Sequence, residues 1–131
     1  MALLVHFFLK ELMEETKKLD YEPKEEREVY EERLANRLGI KTTAGREALK
    51  VALDNVVLLD KKHQDYGPRN IEKHGLIGII VRMDDKFERL AKIFKRKRRR
   101  AVNESIRDTF RDICNYAIIA LLVDSGKWPK E

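Results

Sequence analysis

The segment 44–63, with the sequence AGREALKVALDNVVLLDKKH, decides the fold of this chain. Its apolar residues fall on most faces of a helix and no proline interrupts it, so we predict a long, central α-helix. Thr43 is predicted to cap the N-terminus, since a threonine oxygen accepts a hydrogen bond from a backbone amide of the first turn. Asn55 lies deep in this run, either as a buried amide with satisfied hydrogen bonds or as a ligand contact.

Helical spacing of apolar residues continues on both sides of this segment. It predicts further helices over 2–19, 23–38, 76–94 and 102–123, the last of which should bury Phe110, Ile113 and Leu121. Gly39 follows the second of them, in a position where a glycine typically ends a helix. Residues 64–70, QDYGPRN, should form a loop because the glycine–proline pair does not continue a helix. No segment keeps the alternation of a strand, so we predict an all-α fold, a single-domain bundle of four to five helices.

Composition restricts the class of protein further. Charged residues make up 39% and hydrophobic residues 43% of the chain, a balance typical of a globular protein with a charged exterior. The one cysteine, Cys114, cannot form a disulfide within the chain, which fits a reducing compartment, so we expect a cytoplasmic location. The apolar residues 1–9 lack the cationic start of a signal peptide, and no run approaches the ~20 apolar residues of a membrane span. We therefore expect no membrane partner.

A stripe of carboxylates is predicted on the last helix. Glu104, Asp108 and Asp112 are four residues apart, which places them along one side of a helix. Like charges at this spacing repel each other, whereas a divalent cation such as Mg²⁺, shared with a phosphate, would stabilise them. The alternative is an ordinary ion-paired surface, because Arg107 and Arg111 alternate with the acids.

The loop after the central helix combines groups that suit a nucleotide. Tyr66 offers a ring on which a base could stack, and Arg69 could bind a phosphate. The alternative is a capping turn, in which Asp65 accepts backbone N–H bonds and Tyr66 packs on the bundle. Composition alone does not separate these two interpretations.

Two further charged features bear on phosphate binding. Arg82, Asp85 and Arg89 are three and four residues apart, which aligns them along a helix. Residues 95–100, KRKRRR, carry the excess positive charge of a chain whose net charge is +5. This basic run either binds phosphate or nucleic acid, or is a solvated corner of the bundle.

Taken in order, these polar residues resemble the pattern of the nucleotide-modification-associated domain 1 family. In that pattern a lysine-rich helix end runs into D-Y-G and an asparagine, followed by R-x-x-D-K-x-x-R-L and by E-S-x-x-D-T-x-x-D-x-x-x-Y. The first part is matched by Lys61, Lys62, Asp65, Tyr66, Gly67 and Asn70. The second is matched by Arg82, Asp85, Lys86, Arg89 and Leu90, and the third by Glu104, Ser105, Asp108, Thr109, Asp112 and Tyr116. The resemblance covers about residues 46–123.

The resemblance implies a phage-type protein of nucleotide metabolism that is linked to base modification. It also implies a distant similarity to MazG-like and dimeric dUTPase-like all-α enzymes, which use Mg²⁺ and release pyrophosphate from nucleoside triphosphates. On that basis the catalytic and metal-binding residues would be Asp85, Glu104, Asp108 and Asp112. Residues expected to bind the nucleotide, such as a dNTP, are Lys62, Asp65, Tyr66, Asn70, Arg82, Lys86 and Arg89.

Three functions stay open on the sequence alone. They are a Mg²⁺-dependent nucleoside triphosphate pyrophosphohydrolase, a nucleotide-binding module without catalysis (a sensor, sponge or complex subunit), and a DNA-binding accessory protein that uses Lys95–Arg100. Residues 1–45 are predicted to form a helical extension that packs as one unit with a domain over 46–131. The apolar character of the first and last helices predicts a homo-oligomer, a dimer or a tetramer.

Overall fold

The computed structural model describes residues 2–19, 24–95 and 102–130, and the side chains within 2–11, 26–95 and 106–130. This part of the chain forms six α-helices and no strand. Their bounds are α1 Ala2–Leu19, α2 Lys24–Arg37, α3 Thr43–Tyr66, α4 Arg69–Glu72, α5 Gly75–Lys95 and α6 Val102–Asp124. The predicted all-α class is confirmed, with one helix more than predicted because Arg69–Glu72 forms a separate helical turn. None of these helices, over the residues described, combines the length and apolar character that a membrane crossing needs.

Local hydrogen bonds fix the end of α2 and the start of α3. Gly39 has a φ of 72°, and its amide and the next one donate to carbonyls of the last turn of α2 at 3.1 and 3.0 Å. This is the Schellman arrangement, which confirms Gly39 as the residue that ends α2. The start of α3 is capped by Thr42, whose Oγ1 accepts from the backbone N–H of Gly45 at 3.0 Å. The predicted cap, Thr43, is wrong by one residue because Thr43 already lies in the helix.

The chain divides into two compact units, Met1–Lys50 and Val51–Glu131. In the first unit, Arg46 of α3 contacts two residues of α2. Its guanidinium donates to the Glu32 carboxylate at 3.0 Å and to the Asn36 side-chain oxygen at 2.6 Å. The packing of residues 1–45 as one unit with the rest of the chain stays a prediction.

The second unit is organised around α5. This helix packs against α6, and α4 packs against α5. Among the described side chains, the buried apolar ones are Ile71 of α4 and Ile79 and Leu90 of α5, whereas the buried residues of α6 are polar, Thr109 and Asn115. The second unit therefore buries hydrogen-bonding groups on the side of α6 that faces inward.

This inward face of α6 differs from the predicted one. Phe110 and Leu121, predicted to be buried, are 53% and 70% exposed. The helix is instead held by Asp112, whose carboxylate contacts Lys62 of α3 and Lys86 of α5. Because this charged contact turns the polar side of α6 inward, the apolar stripe that contains Phe110 and Leu121 lies on the surface.

The predicted loop over 64–70 is mostly helical. Helix α3 continues to Tyr66, and the amide of Gly67 donates to the carbonyl of His63 at 2.8 Å. Gly67 has a φ of 66°, so the chain turns there, and α4 begins after the buried Pro68. Tyr66 therefore lies in the last turn of a long helix and is 74% exposed.

The tail after α6 returns to this turn. Gly126, with a φ of 70°, ends the helix, and the amide of Lys127 donates to a carbonyl of the last helical turn at 2.8 Å. The indole Nε1–H of Trp128 then donates to the Pro68 carbonyl at 3.2 Å. The Trp128 ring lies edge-on to His63, with the ring centroids 5.1 Å apart. The tail is thus fastened beside the end of α3.

Candidate functional site

A pocket opens in the second unit between the end of α3, the short α4, helices α5 and α6, and the C-terminal tail. Its volume is about 360 Å³, within the range of cavities that bind small molecules. The residues that line it are Leu59, Lys62, His63, Tyr66, Gly67, Asn70, Ile71, Arg82, Lys86, Asp112, Asn115, Tyr116, Ile119 and Trp128.

The period of the α-helix brings most of these side chains together. Helices α3 and α6 both contribute positions i, i+3, i+4 and i+7, which lie on one face. These positions are Leu59, Lys62, His63 and Tyr66 on α3, and Asp112, Asn115, Tyr116 and Ile119 on α6. Helix α5 adds Arg82 and Lys86, one turn apart. The pocket is therefore built mainly from side chains that helices hold in place.

Asp112 connects the three long helices at the pocket wall. Its Oδ1 accepts from the ammonium group of Lys62 at 2.8 Å, and its Oδ2 lies 2.9 Å from the ammonium group of Lys86. Partial burial raises the pKa of the Asp112 carboxyl, but the hydrogen bonds from the two lysines outweigh the burial and hold the pKa below its ordinary value. The carboxylate is therefore ionised at neutral pH and keeps both ammonium groups at the pocket.

A third cation, Arg82, lies on the same helix as Lys86. Its Nη2 donates to the backbone carbonyl of Asn70 at 3.2 Å, which holds the guanidinium beside α4. Among the residues that the structure describes, three cationic side chains and one carboxylate thus line the pocket. Ammonium and guanidinium groups in excess over carboxylates form charge-assisted hydrogen bonds with phosphate oxygens, so this wall suits a phosphate group.

Aromatic rings form another part of the wall. Tyr66, Tyr116, His63 and Trp128 all line the pocket. The edge-on contact between His63 and Trp128, with an angle of 82° between the rings, fixes the orientation of both. Flat aromatic faces next to cations are a combination on which nucleobases stack.

One polar side chain at the pocket lacks the partners that burial normally requires. Asn115 is 6% exposed, and both its Nδ2 and its Oδ1 are buried without a hydrogen-bond partner among the residues that the structure describes. Buried side-chain amides are normally paired, so two unpaired atoms on one residue are uncommon. Asn115 therefore offers both a donor and an acceptor at the pocket.

The structure brings together most of the predicted nucleotide-binding residues. Lys62, Tyr66, Asn70, Arg82 and Lys86 line the pocket, whereas Asp65 and Arg89 do not. Asp65 projects elsewhere because its position on α3 falls outside the face that carries Lys62 and Tyr66.

Of the four predicted metal ligands, one lines the pocket, two do not, and one has a side chain outside the described residues. Asp112 lines the pocket, but Asp85 does not, and Asp108 is an exposed residue whose carboxylate lies 3.6 Å from Arg111. The side chain of Glu104 lies outside those that the structure describes. Within the described ranges no three His, Cys, Asp or Glu residues come close enough to hold a metal ion. A Mg²⁺ site that uses all four carboxylates stays a prediction.

The predicted nucleic-acid contact also lies largely outside the structure. Of the basic run 95–100, only Lys95 belongs to the described residues. Binding of nucleic acid by this run therefore stays a prediction.

Sequence reasoning missed six residues of the pocket: Leu59, His63, Ile71, Asn115, Ile119 and Trp128. Four of them share a helix face with predicted residues, so the spacing around Lys62 and Tyr66, and around Asp112 and Tyr116, could have identified them. Trp128 carries no such signal, because only the tertiary contact of the tail with the turn after α3 brings it to the pocket.

The fold and the pocket define an all-helical protein with a cationic, aromatic-lined cavity in its second unit. Residues 62–123 match the sequence profile of the family described as nucleotide modification associated domain 1. The segment contains every residue that lines the pocket except Leu59 and Trp128. The resemblance to this family is therefore confirmed, and the family's description associates it with nucleotide modification.

Neither the curated proteins nor the solved structures contain a significant match to the chain.

Proposed function

We propose that the pocket binds a nucleotide, with phosphate groups at the cationic wall and the base between the aromatic rings. The observation that carries this proposal is that Lys62, Arg82 and Lys86 line one cavity together with the aromatic rings. The family's association with nucleotide modification supports the same class of ligand.

The arrangement of charges suits a phosphate group that arrives from solvent. Asp112 neutralises part of the charge of Lys62 and Lys86 before a ligand binds, and it keeps both side chains at the wall. A phosphate with more than one negative charge can share these ammonium groups with Asp112 and add contacts to Arg82. Binding then needs little ordering of side chains, which favours affinity.

The test is the affinity for nucleoside mono-, di- and triphosphates, measured by calorimetry with Mg²⁺ and with a chelator. Arg82→Gln should weaken binding by about 10- to 100-fold, since a hydrogen bond to a charged group contributes about 1.5–3 kcal/mol. The matched control is Arg107→Gln, because Arg107 is exposed on α6 and does not line the pocket. Equal affinity of the two variants, or no binding of any nucleotide by the wild-type protein, would refute the proposal.

Mg²⁺-dependent pyrophosphohydrolysis is the second candidate. Its support is the position of Asp112 in the pocket and of Asp108 one turn before it on α6, together with the resemblance to all-α pyrophosphohydrolases. The described residues do not form a magnesium site by themselves, because only one carboxylate lines the pocket and both its oxygens contact ammonium groups. The assay is pyrophosphate release from a panel of (d)NTPs with Mg²⁺, and the absence of turnover for every nucleotide would reject this candidate.

Self-association, predicted from the sequence, is supported by the outer face of α5. Exposed apolar side chains recur there at Ile80, Phe87 and Phe94, seven residues apart, with Ile77 one turn before. Residues seven apart lie on one side of a helix, which is the spacing by which helices pack against each other. A second copy of this chain that covers this face would remove the apolar surface from water.

A further inference from the structure

The unpaired amide of Asn115 is the feature of the pocket that phosphate binding leaves unexplained. Its Nδ2 and Oδ1 are both buried, and neither has a hydrogen-bond partner within the described part of the chain. Leaving such groups unpaired lowers stability, and unpaired groups that persist are concentrated at functional sites. Asn115 lines the pocket, so a ligand bound there lies next to this residue.

Asn115 lies next to the cationic contact along α6. It lies three residues after Asp112 on the same face of α6, so it is one helical turn further along the pocket than the contact with Lys62 and Lys86. A ligand held by its phosphate at these lysines would place its next part near Asn115. In a nucleotide this part is the nucleoside.

The two amide atoms define the chemistry of the partner. Nδ2 donates and Oδ1 accepts, and the two atoms lie side by side in one plane. An ionised phosphate has no donor for Oδ1, and it would leave that oxygen unpaired. A planar group with a neighbouring donor and acceptor satisfies both atoms, as an asparagine does with the edge of adenine in DNA recognition.

We infer that Asn115 binds the hydrogen-bonding edge of a nucleobase and is the residue by which the pocket distinguishes a nucleotide from a sugar phosphate or pyrophosphate. This inference rests on the proposed function, because the phosphate contacts bring the base to Asn115. On this inference the hydrogen-bond partner of the Asn115 amide is the nucleobase, which explains why no protein group among the described residues is paired with it.

A structural role makes the opposite prediction for stability. If Asn115 held helices together, its removal would destabilise the protein. Because its amide has no partner among the described residues, Asn115→Leu, which has a similar size and no polar atoms, should leave the urea unfolding midpoint unchanged or higher.

The experiment compares binding of deoxynucleotides with binding of ribose 5-phosphate and pyrophosphate, which carry no base. Asn115→Leu should weaken the binding of deoxynucleotides by about 10- to 100-fold, the discrimination typical of a bidentate contact to a base, and leave pyrophosphate binding unchanged. Asn55→Leu is the matched control, since Asn55 is a buried amide of α3 that does not line the pocket. Its nucleotide affinity should equal that of the wild-type protein.

A second variant keeps the test independent of how leucine packs. Asn115→Asp keeps the shape and the acceptor but loses the donor, so it should change the order of affinities among the four bases.

Each contrary outcome has a distinct meaning. Wild-type affinity of Asn115→Leu for deoxynucleotides, or an unchanged order of bases in Asn115→Asp, overturns the inference while the proposed function stands. A wild-type protein that binds pyrophosphate as tightly as any nucleotide also overturns it. Loss of pyrophosphate binding in Asn115→Leu together with a lower unfolding midpoint would assign Asn115 a structural role. Absence of binding of every nucleotide and of pyrophosphate to the wild-type protein refutes the proposed function itself.

Discussion

Replacement of Asp112 by asparagine separates nucleotide binding from metal-dependent chemistry. The change keeps the shape of the side chain and removes the negative charge that lies 2.8 and 2.9 Å from the ammonium groups of Lys62 and Lys86. If the pocket binds phosphate through these lysines, the Asp112 charge repels the ligand. The asparagine oxygen of Asp112→Asn can still accept a hydrogen bond from one lysine, which keeps part of the positioning, so the variant should bind nucleotides more tightly. If Asp112 is a metal ligand, the same variant should lose Mg²⁺-dependent binding and turnover.

The expected gain in nucleotide affinity follows from the repulsion between the Asp112 carboxylate and a phosphate. A carboxylate about 5 Å from a phosphate charge costs about 0.8 kcal/mol in a water-like medium and about 3 kcal/mol at an effective dielectric constant near 20. The Asp112 side chain is 21% exposed and that of Lys62 is 49% exposed, so solvent screens this site in part and a value near the lower limit applies. Asp112→Asn should therefore raise the affinity by about fivefold, corresponding to about 1 kcal/mol.

The assay is calorimetric titration with a deoxynucleotide in the presence of a chelator, repeated with Mg²⁺. Asp124→Asn serves as the control, because Asp124 is an exposed carboxylate at the end of the same helix and does not line the pocket. It changes the net charge equally and should leave the affinity within about twofold of wild type, since solvent screens exposed charges. Weaker binding by Asp112→Asn in the chelator, with the variant folded, would refute the charge argument.

The remaining predictions concern stability and assembly. Trp128→Phe should lower the free energy of unfolding by about 1 kcal/mol, since it removes the indole hydrogen bond to the Pro68 carbonyl but keeps a ring, and urea unfolding measures this. The lowered pKa of Asp112 means that its ion pairs stabilise the fold above the ordinary carboxyl pKa, about 4, and that this contribution disappears as the pH falls through the lowered value. The stability difference between wild type and Asp112→Asn should therefore shrink on acidification below about pH 4, and a constant difference would contradict the assignment. Phe87→Glu should convert an oligomer into monomers in light scattering, and a wild-type protein that is already monomeric would refute self-association through α5.

The sequence predicted the helices better than it predicted their inward faces. The apolar periodicity and the position of Gly39 gave helices within a few residues of those observed. The predicted buried face of α6 was wrong because a helix with apolar residues on several faces can bury any of these faces. Here the ion pairs of Asp112 determine which face points inward. The pair Gly67–Pro68 predicts a loop that includes Tyr66, but a helix can continue up to the glycine that ends it, and α3 does so.

The site was predictable where its residues share a helix face. Lys62, Tyr66, Arg82 and Lys86 were identified by type and order, and all of them line the pocket. Asn115 could not be predicted, because a single asparagine in an apolar run has no sequence signature of function. Its role depends on burial without a partner, which only coordinates reveal. The carboxylate stripe could not be assigned from spacing alone, since residues four apart on a helix line up whether they face a ligand or solvent.

The central claim is that this pocket binds a nucleotide, and the one tryptophan of the chain reports on it directly. Titration of ¹⁵N-labelled protein with deoxynucleoside triphosphates follows a single indole N–H signal, that of Trp128, together with the side-chain amide of Asn115. Binding in the pocket predicts saturable shifts of both signals, with the same affinity for each. Shifts confined to backbone amides remote from the pocket, or no saturable shift with any of the four nucleotides, would contradict the claim.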